Sequence, residues 1–519
     1  MTERNNRGPH RVLPSTRSWL LHDAAATRAL EQSATAQLPP HTLMARAGSA
    51  CARLALAIAP HARSVEVLCG PGNNGGDGMI AAMHLCRAGK PVTARLLAEP
   101  QRLPADARDA LDRARAAGVH IEPGVPERLK AALVIDALLG IGANRIVDGP
   151  IAQAVLRIHA TPATVLSIDL PSGLHADTGS VLGQHVVRAT HTLSLLTLKP
   201  GLFTGLGRDH AGAVWFDDLG VQPKSAADRL LLAGPETLRG LCPARRHAQH
   251  KGSFGDTFIV GGAPGMGGAA LLAGRAALAA GSGRVYLGIL AANDAHPIDP
   301  LRPELMVRPL AQLLNAATLA AATVVCGCGG GTAVREHLPE ILHHAHRLVL
   351  DADALNAVAA DAGLRRALRA RALRGRASIV TPHPLEAARL LDSDAPWIQA
   401  DRLRAARQLA EQLDCCVLLK GSGSVTATPG GATRINPTGN ARLASAGTGD
   451  VLAGWIGGLW AQQPDGSEVA DVAASAAWVH GAAVEGDRGH GALRALDLID
   501  RMVARTADVQ SATPADWLG

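Results

Sequence analysis

Short runs of Val, Leu and Ile alternate with longer segments rich in Ala, Leu and Arg from one end of the chain to the other. This alternation is typical of βα units wound around parallel sheets. We therefore expect an α/β protein, with helices such as 77–89 and 105–118 between its strands and a helical region from Asp450 to about Arg505. The predicted strands are 64–69, 91–98, 131–136, 163–169 and 191–196 in the first half, and 256–262, 284–289, 322–327, 347–352, 378–382 and 415–421 in the second.

The segment 219–252 is richer in turn-forming and polar residues and separates two such alternating patterns. A chain of 519 residues has room for two or more domains, since a domain usually has ~100–200 residues. We place the boundary near residue 225, between an N-terminal domain at 15–225 and a C-terminal domain at 226–507. No motif-level repeat links the halves, and the last twelve residues, 508–519, are expected to form a loose tail.

Composition excludes several classes of protein. Hydrophobic residues make up 47% of the chain and charged residues 18%, a balance that fits buried cores rather than disorder. Aromatic residues make up only 2%, which argues against a nucleic-acid reader that stacks bases on aromatic side chains. The formal net charge of +6 is spread without a long basic run, so it suits small anions better than a duplex. We expect no nucleic-acid partner.

Eight cysteines occur without a CxxC pair, and most lie within apolar runs such as VEVLCG and TVVCGCGG. We interpret them as small core residues in a reducing compartment rather than as a disulfide frame or a zinc site. The N-terminus lacks the apolar core of a secretory signal, and no run of about 18 apolar residues is present to span a membrane. We therefore expect a cytoplasmic protein with no membrane partner.

Arginine is the usual cation of this chain, which contains six lysines. Three of them, Lys199, Lys251 and Lys420, lie beside glycine-rich motifs. These positions suggest a function for the lysines, and chance placement is the alternative.

A glycine-rich turn follows the first predicted strand and leads into a helix, in GPGNNGGDG (70–78). Such a turn lets backbone N–H groups approach a phosphate, and the N-terminus of the helix adds positive potential. Gly70, Gly72 and Gly75 satisfy the dinucleotide fingerprint G-x-G-x-x-G, which is a weak signal alone. Its acidic partner at the end of the next strand would have to be Glu99.

Oxygen-bearing side chains distinguish this turn from a plain dinucleotide-binding turn. Asn73 and Asn74 offer side-chain carbonyls, and Asp77 is expected in the first turn of the helix. These groups suit a hard cation or a ligand with hydroxyl groups. The alternative is an ordinary turn with Asn-Gly chemistry.

Two more carboxylates end predicted strands in the same half. They are Asp136 in LVIDALLGIG and Asp169 in LSIDLPSG, where Ser172 follows closely. Because ligands bind outside the carboxyl ends of the strands in open α/β sheets, three strand ends converge on one crevice. Taken singly, each Asp is better explained as an Asx-turn or a helix cap. Taken together, they favour an active site.

The segments GPGNNGGDG, VIDALLGIG and SIDLPSGLHADTG, in this order and spacing, resemble the NAD(P)H-hydrate epimerase family over about residues 15–220. The resemblance implies a Rossmann-like three-layer α/β domain that interconverts the R and S forms of NAD(P)H hydrate and uses K⁺. Asp169 would contact the substrate and act as the acid/base, because inverting C6 of the hydrated ring means losing and regaining hydroxide or shuttling a proton. The implied K⁺ ligands are Asn74, Asp136 and Ser172, and the implied substrate-binding residues are Asn73, Asn74, Gly75, Gly76, Asp77, Gly140, Ile141, Gly142, Ala143, Asn144, Arg145, Ile146 and Asp169.

In the second half the segment NPTGNARLASAGTGDVLAG (436–454) is the most informative. Small residues at 446–449 lead into a helix predicted to start at Asp450, an arrangement that makes an anion hole from N–H groups with a carboxylate at its rim. Such a carboxylate can take a proton from a substrate hydroxyl beside a nucleotide phosphate. Helix capping by Asp450 is the alternative. Lys420 and the glycines of KGSGS (420–424) end a buried strand and are expected to face the phosphates, although the order of a Walker A loop is absent.

The Gly-Thr-Gly-Asp motif with the preceding NPTGN resembles the ribokinase-like superfamily. The motifs HKGSFG, TPHPLEAARLL and KGSGS narrow the resemblance to the ADP-dependent NAD(P)H-hydrate dehydratases, over about residues 228–505. It implies a ribokinase-like three-layer α/β domain that dehydrates the S form with ADP and Mg²⁺. The implied catalytic residue is Asp450, which would lie at the substrate with Ala269, Gly329 and His383, and the implied ADP-binding residues are Lys420, Gly421, Ser422, Gly423, Ser424 and Gly449.

This chain departs from the dehydratase pattern at two places. It has GCGGGT (327–332) where the family has Gly-Pro-Gly-x-Gly, and the four residues 440–443 are Asn-Ala-Arg-Leu where the family has Asn-Pro-Gly-Met. We expect the loss of Pro and Gly to loosen the second loop and to affect efficiency rather than the type of reaction. His383 has another interpretation, as a turn histidine between two prolines.

Both halves point to one substrate. Hydration of the cofactor gives two epimers at C6, and a dehydratase selective for one of them needs an epimerase. We therefore expect hydrated NADH, hydrated NADPH and ADP as small-molecule partners, and a homo-oligomer. The alternatives are a ribokinase-class kinase of a vitamin alcohol in the second half and a non-catalytic dinucleotide-binding or protein-interaction module in the first.

Overall fold

A computed structural model describes residues 8–14, 16–221, 230–291, 298–486, 491 and 493–511. The chain divides into two compact units. The first comprises Met1–Pro14 and Leu20–Arg229, and the second comprises Ser15–Trp19 and Leu230–Gly519. The boundary predicted near residue 225 lies outside the described residues. The loose tail expected at 508–519 was wrong for 508–511, which end the helix Ala495–Ser511, and 512–519 lie outside the described residues.

The first unit is built on an eight-stranded sheet in the part of the chain that the structure describes. All neighbouring strands are parallel except the two at one edge, where His10 pairs with Phe216 in the antiparallel sense. In the centre of the sheet Leu68 lies beside Asp136, and Asp136 lies beside Ser167. The strands in sheet order are His10–Arg11, Ala213–Asp217, His191–Leu195, Thr164–Ile168, Leu133–Ala137, Val65–Cys69, Val92–Leu96 and His120–Pro123.

Small residues let the helices of the first unit pack closely, which explains a core with so few aromatic rings. A Cβ atom on Gly48 would lie 2.4 Å from the Ile80 side chain, so the helix Thr42–Ile58 approaches the helix Asn73–Arg87 to backbone distance. Ala, Leu and Val side chains fill the remaining space between these helices and the sheet. The α-helices are Ala24–Thr35, Thr42–Ile58, Asn73–Arg87, Ala105–Ala116, Gly149–His159 and Gly207–Ala211, with 3₁₀ turns at Pro100–Arg102 and Pro200–Leu202.

The second unit contains a sheet with eleven strands among the residues the structure describes, including the strand Trp19–Leu21, whose first residue belongs to this unit. Its larger part is parallel, and the strands Val425–Ala427 and Thr433–Ile435 form the antiparallel part. The strands in sheet order are Met306–Val307, Arg284–Ile289, Asp256–Gly261, Thr323–Cys326, Arg347–Leu350, Ser378–Val380, Cys416–Leu419, Val425–Ala427, Thr433–Ile435, Leu230–Leu232 and Trp19–Leu21.

Two helices of the second unit touch backbone to backbone. A Cβ atom on Gly454 would lie 2.0 Å from the carbonyl oxygen of Ala273, and one on Gly458 would lie 2.2 Å from that of Ala277. The α-helices of this unit are Glu236–Leu241, Gly267–Ala279, Leu310–Leu313, Ala316–Ala320, Leu338–His344, Ala352–Ala360, Ala362–Arg369, Pro384–Leu390, Ala395–Ala400, Arg402–Leu413, Thr448–Ala461, Val469–Ala482 and Ala495–Ser511, with 3₁₀ turns at Lys251–Phe254, Ala333–Glu336, Ala372–Arg374 and Ala441–Leu443.

Each strand predicted from the apolar runs is present, with ends that agree within two residues. One prediction about the first glycine-rich segment was wrong. Its helix begins at Asn73, because the N–H groups of Gly75 and Gly76 already donate to the Gly72 carbonyl, so Asp77 lies beyond the first turn. Asn73 and Asn74 therefore open a helix rather than forming a turn. In the described part of the chain, no helix combines the length and the hydropathy needed to cross a bilayer.

Candidate active sites

A cleft of about 870 Å³ opens at the carboxyl ends of the parallel strands in the first unit. Asn73, Asn74, Asp77, Asp169 and the whole loop 140–146 line it, as the sequence motifs suggested. Gly75 and Gly76, also predicted to bind the substrate, do not line the cleft. A Cβ atom on Gly75 would lie 2.2 Å from the Gly70 oxygen, and one on Gly76 would lie 2.6 Å from the Met44 side chain. Glu99, the candidate acid of the fingerprint, is exposed and does not line the cleft either.

Asp169 follows the strand Thr164–Ile168 and has a left-handed backbone with φ of 68°. A non-glycine residue in this region is held there by its surroundings, here by the bond from the Asp169 N–H to the Leu193 carbonyl at 2.7 Å. Its Oδ1 accepts hydrogen bonds from the Lys199 ammonium and, at 3.4 Å, from the Leu195 N–H. The Lys199 ammonium also donates to the Leu195 carbonyl at 2.6 Å. The candidate acid/base is thus half of an almost fully buried ion pair.

Asp136 lies near the end of the strand Leu133–Ala137, and Ser172 follows the adjacent strand Thr164–Ile168. Asn74 lies in the first turn of the helix Asn73–Arg87. Both Oδ1 and Nδ2 of Asn74 are buried without a hydrogen-bond partner. Asp136 accepts hydrogen bonds from the Ser172 hydroxyl at 2.6 Å and N–H at 2.9 Å, and from the Ser167 hydroxyl at 2.7 Å. Burial raises the pKa of Asp136, while the bonds from Ser172 and Ser167 oppose that shift. A buried amide oxygen without a partner beside this network suits a cation such as K⁺.

Other carboxyl groups face the same cleft. Glu31, Asp77 and Asp106 line it together with Asp169. Burial, and then the negative charges of Asp169 and Glu31, raise the pKa of Asp77 well above its ordinary value. Burial and the charge of Asp169 also raise the pKa of Glu31. Lys199 therefore places its positive charge among four carboxyl groups, where the anionic forms would otherwise repel one another.

In the second unit the helix Thr448–Ala461 begins after Gly447, which has a left-handed backbone with φ of 87°. The Thr448 hydroxyl donates to the carbonyls of Leu443 and Ser445 at 2.9 Å and fixes the approach to the helix. Asp450 lies half-buried in the first turn. The N-terminal N–H groups and a carboxylate therefore stand together, although the helix begins at Thr448 and not, as predicted, at Asp450.

Lys420 lies beside this helix N-terminus, since a Cβ atom on Gly449 would be 3.7 Å from its Nζ. Its ammonium donates to Asp351 Oδ1 at 2.5 Å and lies 4.0 Å from Glu386 Oε2. Burial lowers the pKa of Lys420, but the charges of Asp351 and Glu386 outweigh burial and raise it above its ordinary value. Burial raises the pKa of Glu386 to about 7.

Asp450 belongs to a cluster with Asp351 and Cys328, in which one ligand atom of each residue lies within 4.8 Å of the others. Burial and the charge of Asp351 raise the pKa of Asp450 to about 6, although a hydrogen bond from the Cys328 thiol and the charge of Lys420 oppose the shift. The two carboxylates are oxygen donors of the kind that Mg²⁺ prefers, whereas a thiol is not.

The predicted substrate-binding residues of the second unit occupy two places. Gly329 has a left-handed backbone with φ of 58°, and its Cβ atom would lie 2.8 Å from that of Ala269, so these two residues are neighbours. His383 caps the helix Pro384–Leu390, where its Nδ1 accepts from the N–H groups of Leu385 at 3.1 Å and Glu386 at 3.3 Å. Its Nε2 lies 3.1 Å from Glu386 Oε1, which brings His383 beside the Lys420 cluster.

The loop 420–424 is exposed at Gly421 and Ser422 and half-buried at Ser424. The buried Arg402 supports it from below, with hydrogen bonds to the carbonyls of Leu419 at 3.2 Å and Lys420 at 3.1 Å. A Cβ atom on Gly421 would lie 2.9 Å from the Arg402 guanidinium, and φ there is 138°. Glycine is therefore required at this position.

The segment that departs from the dehydratase pattern forms an ordered turn. Asn440 accepts from the Arg442 N–H at 3.0 Å and donates to the Val484 carbonyl at 2.9 Å. The 3₁₀ turn Ala441–Leu443 follows it. Asn440 therefore secures the start of this turn without the Pro and Gly of the family pattern.

Sequence reasoning missed three charged residues of these sites: Lys199, Asp351 and Glu386. Lys199 was noticed as one of few lysines but received no role. Asp351 follows the strand Arg347–Leu350, and Glu386 lies within TPHPLEAARLL, one of the motifs quoted for the second half. Asp169 and Lys199 are 30 positions apart in the chain, and Asp351 and Lys420 are 69 positions apart. Only the fold shows that the two members of each pair are in contact.

The chain matches the models of two protein families. Residues 257–500 match NAD(P)H-hydrate dehydratase, and residues 40–201 match the YjeF-related protein N-terminus. Among curated proteins, the bifunctional NAD(P)H-hydrate repair enzyme of Escherichia coli K12 is 36% identical over 453 residues, which cover 86% of this chain and 85% of that protein.

Two solved structures resemble part of the chain. The ADP/ATP-dependent NAD(P)H-hydrate dehydratase of Bacillus subtilis, co-crystallised with ATP and Mg²⁺, is 28% identical, with 53% of this chain and 97% of that chain covered and a TM-score of 0.43. A ribokinase-like superfamily protein of Enterococcus faecalis V583 is 19% identical, with 56% and 99% covered and a TM-score of 0.45.

Proposed function

This chain belongs to the family of bifunctional NAD(P)H-hydrate repair enzymes, and we propose that each of its units performs one of the two repair reactions. The first unit, with a Rossmann-like α/β fold, interconverts the R and S forms of hydrated NADH and NADPH. The second, with a ribokinase-like α/β fold, dehydrates the S form to NAD(P)H with ADP. The observation that carries the proposal is the pair of carboxylate–lysine clusters at strand ends, one in each of two units that match the two families.

In the epimerase unit Asp169 acts as the acid/base at C6 of the hydrated nicotinamide ring. Its position at the edge of the cleft, between the helix that begins at Asn73 and the loop 140–146, supports this role. The N–H groups at the start of that helix and the exposed Arg145 suit the diphosphate of the dinucleotide. The loop 140–146 would cover the substrate.

Asn74, Asp136 and Ser172 would hold the K⁺ ion of the epimerase. The amide oxygen of Asn74 has no partner in the protein, and the Ser172 hydroxyl and Asp136 carboxylate are bonded to each other nearby. K⁺ held by these residues would supply positive charge to the site. The protein's own contribution is to fix three oxygen atoms, one at the start of the helix Asn73–Arg87 and two at adjacent strand ends.

In the dehydratase unit the nucleotide phosphates lie between the helix N-terminus at Gly449 and the loop 420–424. Hydroxide is a poor leaving group at neutral pH, so the C6 hydroxyl is first activated. Asp450 takes its proton while the hydroxyl oxygen attacks the terminal phosphorus of ADP and AMP leaves. The ring nitrogen lone pair then expels phosphate, which leaves an N1–C6 iminium, and loss of a proton from C5 to solvent restores the C5–C6 double bond of NAD(P)H. Asp351 and Asp450 would hold Mg²⁺, which neutralises phosphate charge, and Ala269, Gly329 and His383 would contact the hydrated ring.

One assay on the whole chain tests both activities. Separated R and S forms of hydrated NADH are incubated with the protein, with and without ADP, and both epimers, AMP and the absorbance of reduced nicotinamide are followed. We expect interconversion without ADP, and recovery of NADH with one AMP per cofactor when ADP is added. A ribokinase-class kinase would leave hydrated NADH untouched and would need ATP with an alcohol substrate.

We further propose a cytoplasmic location, supported by eight cysteines that are all free thiols, six of them buried. The expectation of a homo-oligomer stays a prediction.

A further inference from the structure

We propose that Lys199 is a positioning residue that assigns different tasks to the two oxygens of Asp169. Oδ1 is the anchored oxygen, and Oδ2 is the oxygen that exchanges the proton with the substrate. This inference rests on the proposed epimerase activity and specifies how its acid/base group is held.

The anchor at Oδ1 is built from two donors. The Lys199 ammonium and the Leu195 N–H both donate to this oxygen. Lys199 is only 1% exposed, and a second bond from its ammonium to the Leu195 carbonyl at 2.6 Å fixes its direction. A buried ammonium with two fixed acceptors cannot swing away, so the Asp169 carboxylate keeps one orientation.

The other oxygen faces open space. Among the described residues no group donates a hydrogen bond to Oδ2, and Gly140 in the loop of the cleft lies close to it. A Cβ atom on Gly140 would lie 3.5 Å from Oδ2 and 3.4 Å from Cβ and Cγ of Asn74. The absence of a side chain there leaves room beside Oδ2 for a ring atom of the substrate.

The backbone around this pair is held in place on both sides. Asp169 and Leu196 both have left-handed backbones, with φ of 68° and 64°. Asp169 is tied to the neighbouring strand through the Leu193 carbonyl, and Leu196 through the Asp217 carbonyl at 2.9 Å. Two uncommon backbone conformations on adjacent strands therefore bring the carboxylate and the lysine together.

The first test replaces Lys199 by methionine, which keeps the length of the side chain and removes the charge. Without the anchor the carboxylate samples other orientations, and a misplaced acid/base costs ~10²-fold in rate. We expect the epimerase kcat to fall by about that factor while KM changes by less than about threefold. Lys90→Met is the matched control, because Lys90 binds the carbonyls of Pro60 and Ala62 and does not line the cleft.

A double variant separates anchoring from direct action on the substrate. If Lys199 acts through Asp169, the variant with both Lys199→Met and Asp169→Asn has the kcat of Asp169→Asn alone. Multiplicative losses, an effect on KM only, or an unchanged kcat would overturn the inference. Denaturant unfolding of the same molecules reports whether the first unit of each variant is folded.

Rescue by a small amine gives a second readout. In saturating K⁺, ethylammonium should restore part of the kcat of Lys199→Ala and leave the wild type and Asp169→Asn unchanged. No rescue in a variant that is folded and binds substrate would count against the anchor. A wild type that does not interconvert the epimers would instead refute the proposed function, so the two failures are distinguishable.

Discussion

Each unit places one buried or half-buried lysine among several carboxyl groups, but the two lysines bind different partners. In the first unit Lys199 pairs with Asp169, the candidate acid/base itself. In the second unit Lys420 pairs with Asp351, and Asp450 remains outside that ion pair. In one site the lysine therefore pairs with the candidate catalytic carboxylate itself, and in the other it pairs with a neighbour of that carboxylate.

This difference follows the chemistry that each site is proposed to perform. An epimerase acts on one substrate, and its acid/base can be fixed before that substrate arrives. A dehydratase that uses ADP must also receive phosphates, and Lys420 lies where they would bind. Because the pKa of Asp450 is raised to about 6, this carboxylate can hold or release a proton near neutral pH. The position of the lysine therefore decides whether the candidate catalytic carboxylate is held in an ion pair or stays outside it and can bind and release a proton.

The strongest test of this comparison exchanges each candidate catalytic carboxylate for an amide. Asp169→Asn should lower epimerase activity by ~10²–10⁴-fold and leave dehydration of the S form intact, because Asn keeps the shape but cannot carry the proton. Asp450→Asn should do the reverse. Both rates are measured on the same preparations, by separation of the epimers and by recovery of reduced nicotinamide. Loss of both activities in either variant would show that the sites are not independent.

Removal of the second lysine should affect binding rather than the chemical step. Lys420→Met takes away a cation that faces phosphate, and a charge-assisted bond of this kind is usually worth about 1.5–3 kcal/mol. We expect the KM for ADP to rise by roughly 10-fold or more while epimerase activity is unchanged. Steady-state kinetics at varied ADP measure this. A fall in kcat alone would make Lys420 equivalent to Lys199 and would remove the contrast.

A smaller effect concerns the cation of the first unit. Replacing K⁺ by Li⁺ should lower the epimerase rate severalfold and leave the binding of ADP by the second unit unchanged. Asn74→Ala should remove most of this dependence, because the amide oxygen without a partner is lost. Initial rates over a K⁺ titration provide the measurement. Equal rates in both salts would contradict the proposed K⁺ ligands.

The smallest expected effect is on stability and concerns Glu386. Burial raises its pKa from 4.5 to about 7, so the folded state binds this proton more tightly than the unfolded state. The resulting stabilisation is complete below the unfolded pKa and is lost as the pH rises through the folded pKa. Between about pH 6 and pH 8 the wild type should lose ~1 kcal/mol relative to Glu386→Gln, which cannot titrate. Denaturant unfolding at both pH values measures the difference, and parallel curves for the two proteins would contradict it.

The sequence predicted the central strands of both sheets because they are continuous apolar runs. It did not predict short edge strands such as His120–Pro123, where polar residues alternate and half the side chains are exposed. Nor did it predict Trp19–Leu21, whose pairing depends on distant parts of the chain. Local patterns report burial, but edge strands are defined by partners that only the fold supplies.

For the sites, glycine-rich turns and carboxylates at strand ends could be recognised from the sequence. The charge partners could not, because neither spacing nor composition states that Lys199 reaches Asp169 across a strand. The start of the helix at Asn73 was also missed, since Asn and Gly are typical of turns and the hydrogen bonds to Gly72 override that preference.

The contact between the helices Gly267–Ala279 and Thr448–Ala461 has a mechanical consequence. Gly454 and Gly458 sit against the backbone of Ala273 and Ala277 at two successive turns, so neither helix can slide or rotate without a collision. The helix Thr448–Ala461, which contains Asp450, and the helix Gly267–Ala279, which contains Ala269, thus form a single stiff frame. A nucleotide that binds between this frame and the loop 420–424 would therefore meet Asp450 at a preset position.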